Sequence, residues 1–254
     1  MERGLQALPR LEVIKLVCCI LHTGNRSQAF ILPGTATLTT LHIHDTSVGL
    51  PALESTLPQL TNLVDLTLRA TLYGRASPTR QNSFLSSLQL PTLMRLDLCW
   101  NDEHFKLDGA ASSLAASLPH LSGLTHLSLS HNNLTDCGVS ALASSLSHLV
   151  CLKHLGLGNN GIMLKCNSVP AAWVIQLASS LGSMTHLETL DLSSNRRRGD
   201  RLDAIGFSAV LESIRGHAFL KRIDLSDCGW AALEDWIQPH HSIVLEQSME
   251  IDSD

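Results

Sequence analysis

Apolar residues recur along this chain in a fixed phrase. Residues 124–132 read LTHLSLSHN and residues 152–160 read LKHLGLGNN, 28 residues apart, with a small-residue run, GVSALASSLSHL (138–149), between them. Six further copies align: LEVIKLVCC from Leu11, LTTLHIHDT from Leu38, LVDLTLRAT from Leu63, LMRLDLCWN from Leu93, LETLDLSSN from Leu187 and LKRIDLSDC from Leu220. Successive copies start 27, 25, 30, 31, 28, 35 and 33 residues apart. Positions four and six of the phrase are apolar between polar neighbours. That alternation predicts a short strand with both side chains turned into a core. Position nine is Asn101, Asn132, Asn160 and Asn195 in four copies. A buried Asn there can bond the backbone groups that a sharp turn leaves unpaired. Cys19, Thr46, Thr71 and Cys228 stand at that position in other copies as partial substitutes. Between phrases, runs such as GAASSLAASLPHL (109–121) carry Leu at helical spacing with Ala and Ser, and predict a helical return limb.

Departures from the pattern mark loops. Residues 73–83 (YGRASPTRQNS) are polar and predict a loop, and residues 163–176 and 195–201 (NRRRGDR) lengthen two repeats as rim insertions. Residues 4–9 resemble the tail of a helix from a preceding repeat, so the chain is expected to be the C-terminal part of a longer protein, or a truncated relative. At the other end a last helix is expected over 231–241 and a closing strand over 242–246. The expected organisation is one repeat domain over 1–241 and a closing strand with a short acidic tail over 242–254.

Composition narrows the function classes. A net charge of −5 lacks the basic stripe of a nucleic-acid binder. The 7 cysteines are scattered, with no CxxC pair, which points to small core residues in a reducing compartment. Arg10, Glu12 and Lys15 interrupt the apolar run a secretory signal needs. No stretch has the roughly 20 apolar residues of a membrane span. A cytoplasmic location is expected, with no membrane insertion and no cofactor.

The spelling L-x-x-L-x-L-x-x-N at this period is a leucine-rich repeat signature. LTHLSLSHNNLTDCGVSALASSLSHL and its neighbours resemble the repeats of ribonuclease inhibitor and of the C-terminal domain of NOD-like receptors, from Leu11 to about Trp236. The resemblance implies an α/β horseshoe solenoid of the ribonuclease-inhibitor-like type, with parallel strands on the concave face and helices on the convex face. It also implies a non-catalytic module that senses a pathogen-derived ligand or binds a protein, beside an upstream nucleotide-binding domain. The phosphate loop of such a domain needs a Gly-Lys pair, and none occurs here. The alternative is a stand-alone cytosolic regulator, an inhibitor or a GTPase-activating adaptor, that uses the same face. Ribonuclease inhibitor is rich in cysteine and strongly acidic, unlike this chain. Ran GTPase activators carry a long acidic tail, which residues 249–254 match poorly.

Stacked strands turn phrase positions into columns about 4.8 Å apart. Position three supplies Asp65, Arg95, His126, His154 and Arg222 to the concave face; position five supplies Asp97, Asp191 and Asp224; position eight supplies Trp100 and His131. This mixed charged and aromatic surface suits protein binding, with Trp100 as the strongest hot-spot candidate. Other patterns carry less. His126, His131 and His154 have the composition of a zinc site only if they converge. Asp191 and Asp224 should lie side by side, with Lys221 and Arg222 near enough to neutralise them. GLGNNG (156–161) spells G-x-G-x-x-G but sits on a repeat strand and its turn, outside a dinucleotide-binding context. Arg198-Gly199-Asp200 and the sequons at Asn25 and Asn133 matter only outside a cell.

Overall fold

The structure is a computed structural model, and it describes residues 10–17, 36–45, 50–72, 77–101, 107–162, 172–195, 204–226 and 244–246. Each phrase opens as a strand: β1 (Val13–Val17), β2 (Thr40–His44), β3 (Asp65–Arg69), β4 (Arg95–Asp97), β5 (His126–Ser128), β6 (His154–Gly156), β7 (Thr189–Asp191) and β8 (Arg222–Asp224). The expected closing strand is β9 (Val244–Glu246). All nine form one sheet in sequence order. Every pairing is parallel and joins like positions of the phrase, so that Arg95 pairs with His126, His126 with His154 and His154 with Thr189.

The return limbs carry α1 (Leu50–Thr56), α2 (Pro78–Ser86), α3 (Leu107–Ser117), α4 (Asp136–Leu146), α5 (Ala172–Ser183) and α6 (Ala204–Ile214). Position-four residues from Ile14 to Ile223 and position-six residues from Ile43 to Leu225 are buried between the sheet and this helical layer. Ala110, Ala111 and Ala143 are buried where helices of adjacent coils meet, which lets their backbones approach. Neighbouring strands are about 4.8 Å apart and packed helices 8–10 Å apart. A stack with strands on one side and helices on the other therefore bends with the sheet on the inside.

The position-nine asparagines form a ladder through the turns. Asn132 Nδ2 donates to the carbonyls of Leu98, Leu129 and Ser130, while Asn160 Oδ1 accepts from the Asn132 and Leu134 N–H groups. Asn101 and Asn195 repeat parts of this pattern on either side. Thr71 donates its hydroxyl to the carbonyl of Ile43 at 2.8 Å, doing with one group part of what Asn does with two.

The expected loop over 73–83 is corrected from Ser77 onward. Pro78–Ser86 is helical: the Ser77 side chain accepts from the Arg80 N–H, Pro78 stands in the first turn, and Gln81, Phe84 and Leu85 are buried. Ser as N-cap followed by Pro is a helix start signal, and the polar composition concealed it. The expected insertion over 163–176 is corrected at its end, since residues 172–176 open α5 with Val174 buried. The expected helix remnant over 4–9, the rest of that insertion (163–171), residues 196–201, the last helix over 231–241 and the acidic tail lie outside the described residues. Among the described residues no helix is long and apolar enough to cross a membrane.

Candidate functional site

The outer face of the sheet carries the odd positions of each phrase. Near its middle is a depression of about 280 Å³ lined by Arg69, Arg95, Asp97, His126, Ser128, His154, Gly156, Thr189 and Asp191. Side chains shrink toward its floor, where position five is Ser128 on β5 and Gly156 on β6.

One wall is an ion pair between adjacent coils. Arg69 Nε donates to Asp97 Oδ2 at 2.7 Å. The other carboxylate oxygen accepts from the Cys99 N–H. Asp97 is only 4% exposed, so it serves the sheet from within rather than a partner from without. Arg69 keeps about half its side chain in solvent. Its hydrogen bond to Asp97 holds the guanidinium pKa above its ordinary value. Burial and the Asp97 charge push the Cys99 thiol up to about 12, which leaves it a poor nucleophile. Above the pair, Arg95 Nε lies 3.6 Å from Asp65, and His42 Nε2 approaches the same carboxylate to 3.0 Å without hydrogen-bond alignment.

The next columns hold two imidazoles. His126 and His154 stack with ring centroids 4.1 Å apart. Thr125 donates its hydroxyl to the Met94 carbonyl. Its oxygen therefore accepts from His126 Nδ1, 2.8 Å away, and the Nε2 lone pair of His126 is left as an acceptor. Burial, then Arg95, lowers the His126 pKa to about 4, and burial lowers that of His154. Both rings are neutral at pH 7.

Asp191 and Asp224 are register partners on β7 and β8. Each carboxylate accepts from the N–H and hydroxyl of the serine two residues on, Ser193 or Ser226. The expected neutralisation is half right: Arg222 pairs with Asp224 at 3.2 Å, but Lys221 turns away to Glu188 at 2.6 Å.

The three histidines do not converge. His131 leaves the other two and lies flat on Trp100, with centroids 3.4 Å apart and planes 14° from parallel. Among the described residues no group of three His, Cys, Asp or Glu side chains could hold a metal ion. Trp100 is 55% exposed beside this contact.

Position eight has a backbone feature that the sequence does not announce. Asp45, Ala70, Trp100, His131, Asn159 and Ser194 all have φ between 45° and 62°. This left-handed step turns the chain at the end of the strand, and it costs a non-glycine residue about 1 kcal/mol. Each position-eight N–H donates to the position-seven carbonyl of the next coil, as Ala70 does to Cys99 and Trp100 to Ser130. The position-eight side chains are thereby held in a column at strand spacing. Ser128 and Thr189 fall in the concave columns at positions five and three as the phrase predicts, and Arg69 is the lining residue that sequence reasoning missed. For Arg69 the available signal was a cation one coil before, and two positions beyond, an inward-crowded Asp97.

A family model described as "Leucine Rich repeat" matches residues 120–143 and 183–196. No curated protein sequence matches the chain. Among solved structures, human trophoblast glycoprotein (Wnt-activated inhibitory factor 1) aligns at 18% identity and a TM-score of 0.55, over 92% of this chain and 77% of that one. A leucine-rich repeat protein of Leptospira interrogans aligns at 18% identity and a TM-score of 0.55, over 96% of this chain, which spans 56% of that protein. The recurring phrase, the parallel sheet backed by helices, the buried asparagine ladder and these matches agree: the chain has the α/β solenoid fold of leucine-rich repeats.

Proposed function

We propose that this chain is a protein-interaction module whose partner docks on the concave strand face, between the depression over β4–β7 and the Trp100–His131 stack. The observation that carries this reading is the exposure of Trp100. An indole left half in water, at a backbone position that disfavours it, is the kind of anchor that dominates protein interfaces. Arg95 and Arg222, each more than two-fifths exposed, supply charged contacts around it. The residues expected to take part are Asp65, Arg95, Trp100, His126, His131, His154, Asp191, Arg222 and Asp224, with Asp97 bracing the wall. The role is non-catalytic.

The finer reading is that of a ligand-sensing repeat domain of ribonuclease-inhibitor-like type, from an intracellular NOD-like innate-immune receptor. It rests on the likeness of the repeats over residues 124–149. The exposed free thiols of Cys137 and Cys151 suit a reducing, cytoplasmic setting.

The test is an affinity capture from cell lysate with the native chain and a Trp100→Ala/Arg95→Ala double variant. The reading predicts a specific partner lost in the double variant and kept by Ile175→Ala on the helical face. A partner retained by the double variant would place the interaction elsewhere. A phosphate-loop segment encoded upstream in the parent transcript would favour the receptor over the stand-alone regulator.

A further inference from the structure

The stack at position eight stops one ring short. Coil five contributes His131 and coil four Trp100, face to face. Coil three carries Ala70 at the same position, held one strand step away by the bond from its N–H to the Cys99 carbonyl. His131 covers the indole face that looks toward coil five. The opposite face looks toward coil three, where a methyl group is the only side chain at that position. Trp100 is more than half exposed beside it.

We infer that this slot, walled by the Trp100 indole and floored by Ala70, receives an aromatic side chain of the protein partner. The inference rests on the strand face being the binding surface. Two features choose the occupant. Neighbouring strands are about 4.8 Å apart, and parallel rings stack comfortably within that spacing. The His131–Trp100 pair already does so, and a third ring over Ala70 continues the column. Charge supplies the second feature. Arg69 precedes Ala70 with about half its side chain in solvent. Its charge is already matched by buried Asp97, so a full anion is not required. The electron-rich face of a ring complements a cation in that position. Asn159 and Ser194 hold the same left-handed step on coils six and seven with small polar side chains, so the turn itself does not require rings at this position.

The test titrates the 15N-labelled full chain with N-acetyl-tryptophanamide, using N-acetyl-leucinamide and N-acetyl-argininamide as controls. The readout is the indole N–H resonance of Trp100, assigned by its loss in Trp100→Phe. A saturating shift with the aromatic amide is expected, about fivefold tighter than with either control. In Ala70→Leu, whose side chain fills the slot, the response should vanish. Should that variant fail to fold, Trp100→Ala asks the same question on the Ala70 backbone amide, and binding should be lost there. Equal response to the leucine or arginine amide, an undiminished response in Ala70→Leu, or no response to the aromatic amide would each overturn the inference. Because the titration needs no partner, a silent slot leaves the broader reading to the capture experiment. A partner lost with Trp100→Ala/Arg95→Ala would then keep the strand face while discarding the slot.

Discussion

At the residue scale, four side chains show how polar groups are accommodated on and within an aliphatic stack. Asn132 is buried and its amide serves both its own turn and the preceding coil. Asn132→Ala strands the buried Asn101 N–H, removes one of the two amide donors to each of the Leu98 and Leu129 carbonyls, and should cost about 3 kcal/mol in urea unfolding. Asn132→Thr should recover part of the loss, as Thr71 does in coil three. The Arg69–Asp97 pair is asymmetric in exposure, so its two deletions should differ. Arg69→Met leaves a carboxylate in the interior and is expected to cost about 3 kcal/mol. Asp97→Asn leaves a cation that reaches water and should cost about 1 kcal/mol. The histidines predict a pH dependence. The folded-state pKa of His126 is about 4, below the ordinary value of 6.5, so the unfolded chain binds the extra proton first. The His126 contribution to stability is complete above about pH 6.5 and is lost as the pH falls toward 4. Urea midpoints should therefore drop between pH 7 and 5, and a His126→Gln variant should flatten that slope. The inward leucines and the buried asparagines were legible in the sequence because the phrase repeats eight times. The left-handed step at position eight was not, because Trp, His and Ala there carry none of the glycine signal that marks such a turn.

At the element scale, neighbouring coils cap one another. Asp108, in the first turn of α3, accepts from the N–H and hydroxyl of Thr135 and from the Gly138 N–H, and so caps α4 from the adjacent coil. A Cβ on Gly138 would lie 2.3 Å from that carboxylate oxygen. Gly138→Ala should therefore destabilise the chain by about 2 kcal/mol, read as a lower melting temperature by circular dichroism. Leu129 is wholly buried behind β5. Leu129→Asp should cost several kcal/mol and open the array around coil five, and unchanged melting would contradict its inward placement. Helices α3 and α4 were readable from Leu, Ala and Ser spacing. Helix α2 was not, because buried Gln81 occupies a position where its neighbours carry aliphatic residues. The cross-coil ion pair was equally hidden, since Arg69 and Asp97 stand at different phrase positions and meet only diagonally.

At the scale of the whole molecule, identical register across every strand pair turns a one-dimensional repeat into a continuous surface. Each coil packs on its neighbours, so the columns can vary freely while the core stays constant. That separation explains why the architecture was legible and the ligand was not: inward positions obey one rule in all copies, and outward positions obey none. The proposed function is engagement of a protein by the concave face. It is tested most directly by a benzophenone amino acid placed at Arg222 on the strand face or at Ile175 on the helical face, with photolysis in cells that express the chain. A discrete partner adduct is expected from position 222 that disappears with Trp100→Ala, and none from position 175. Adducts from position 175 alone, or equally from both, would contradict it.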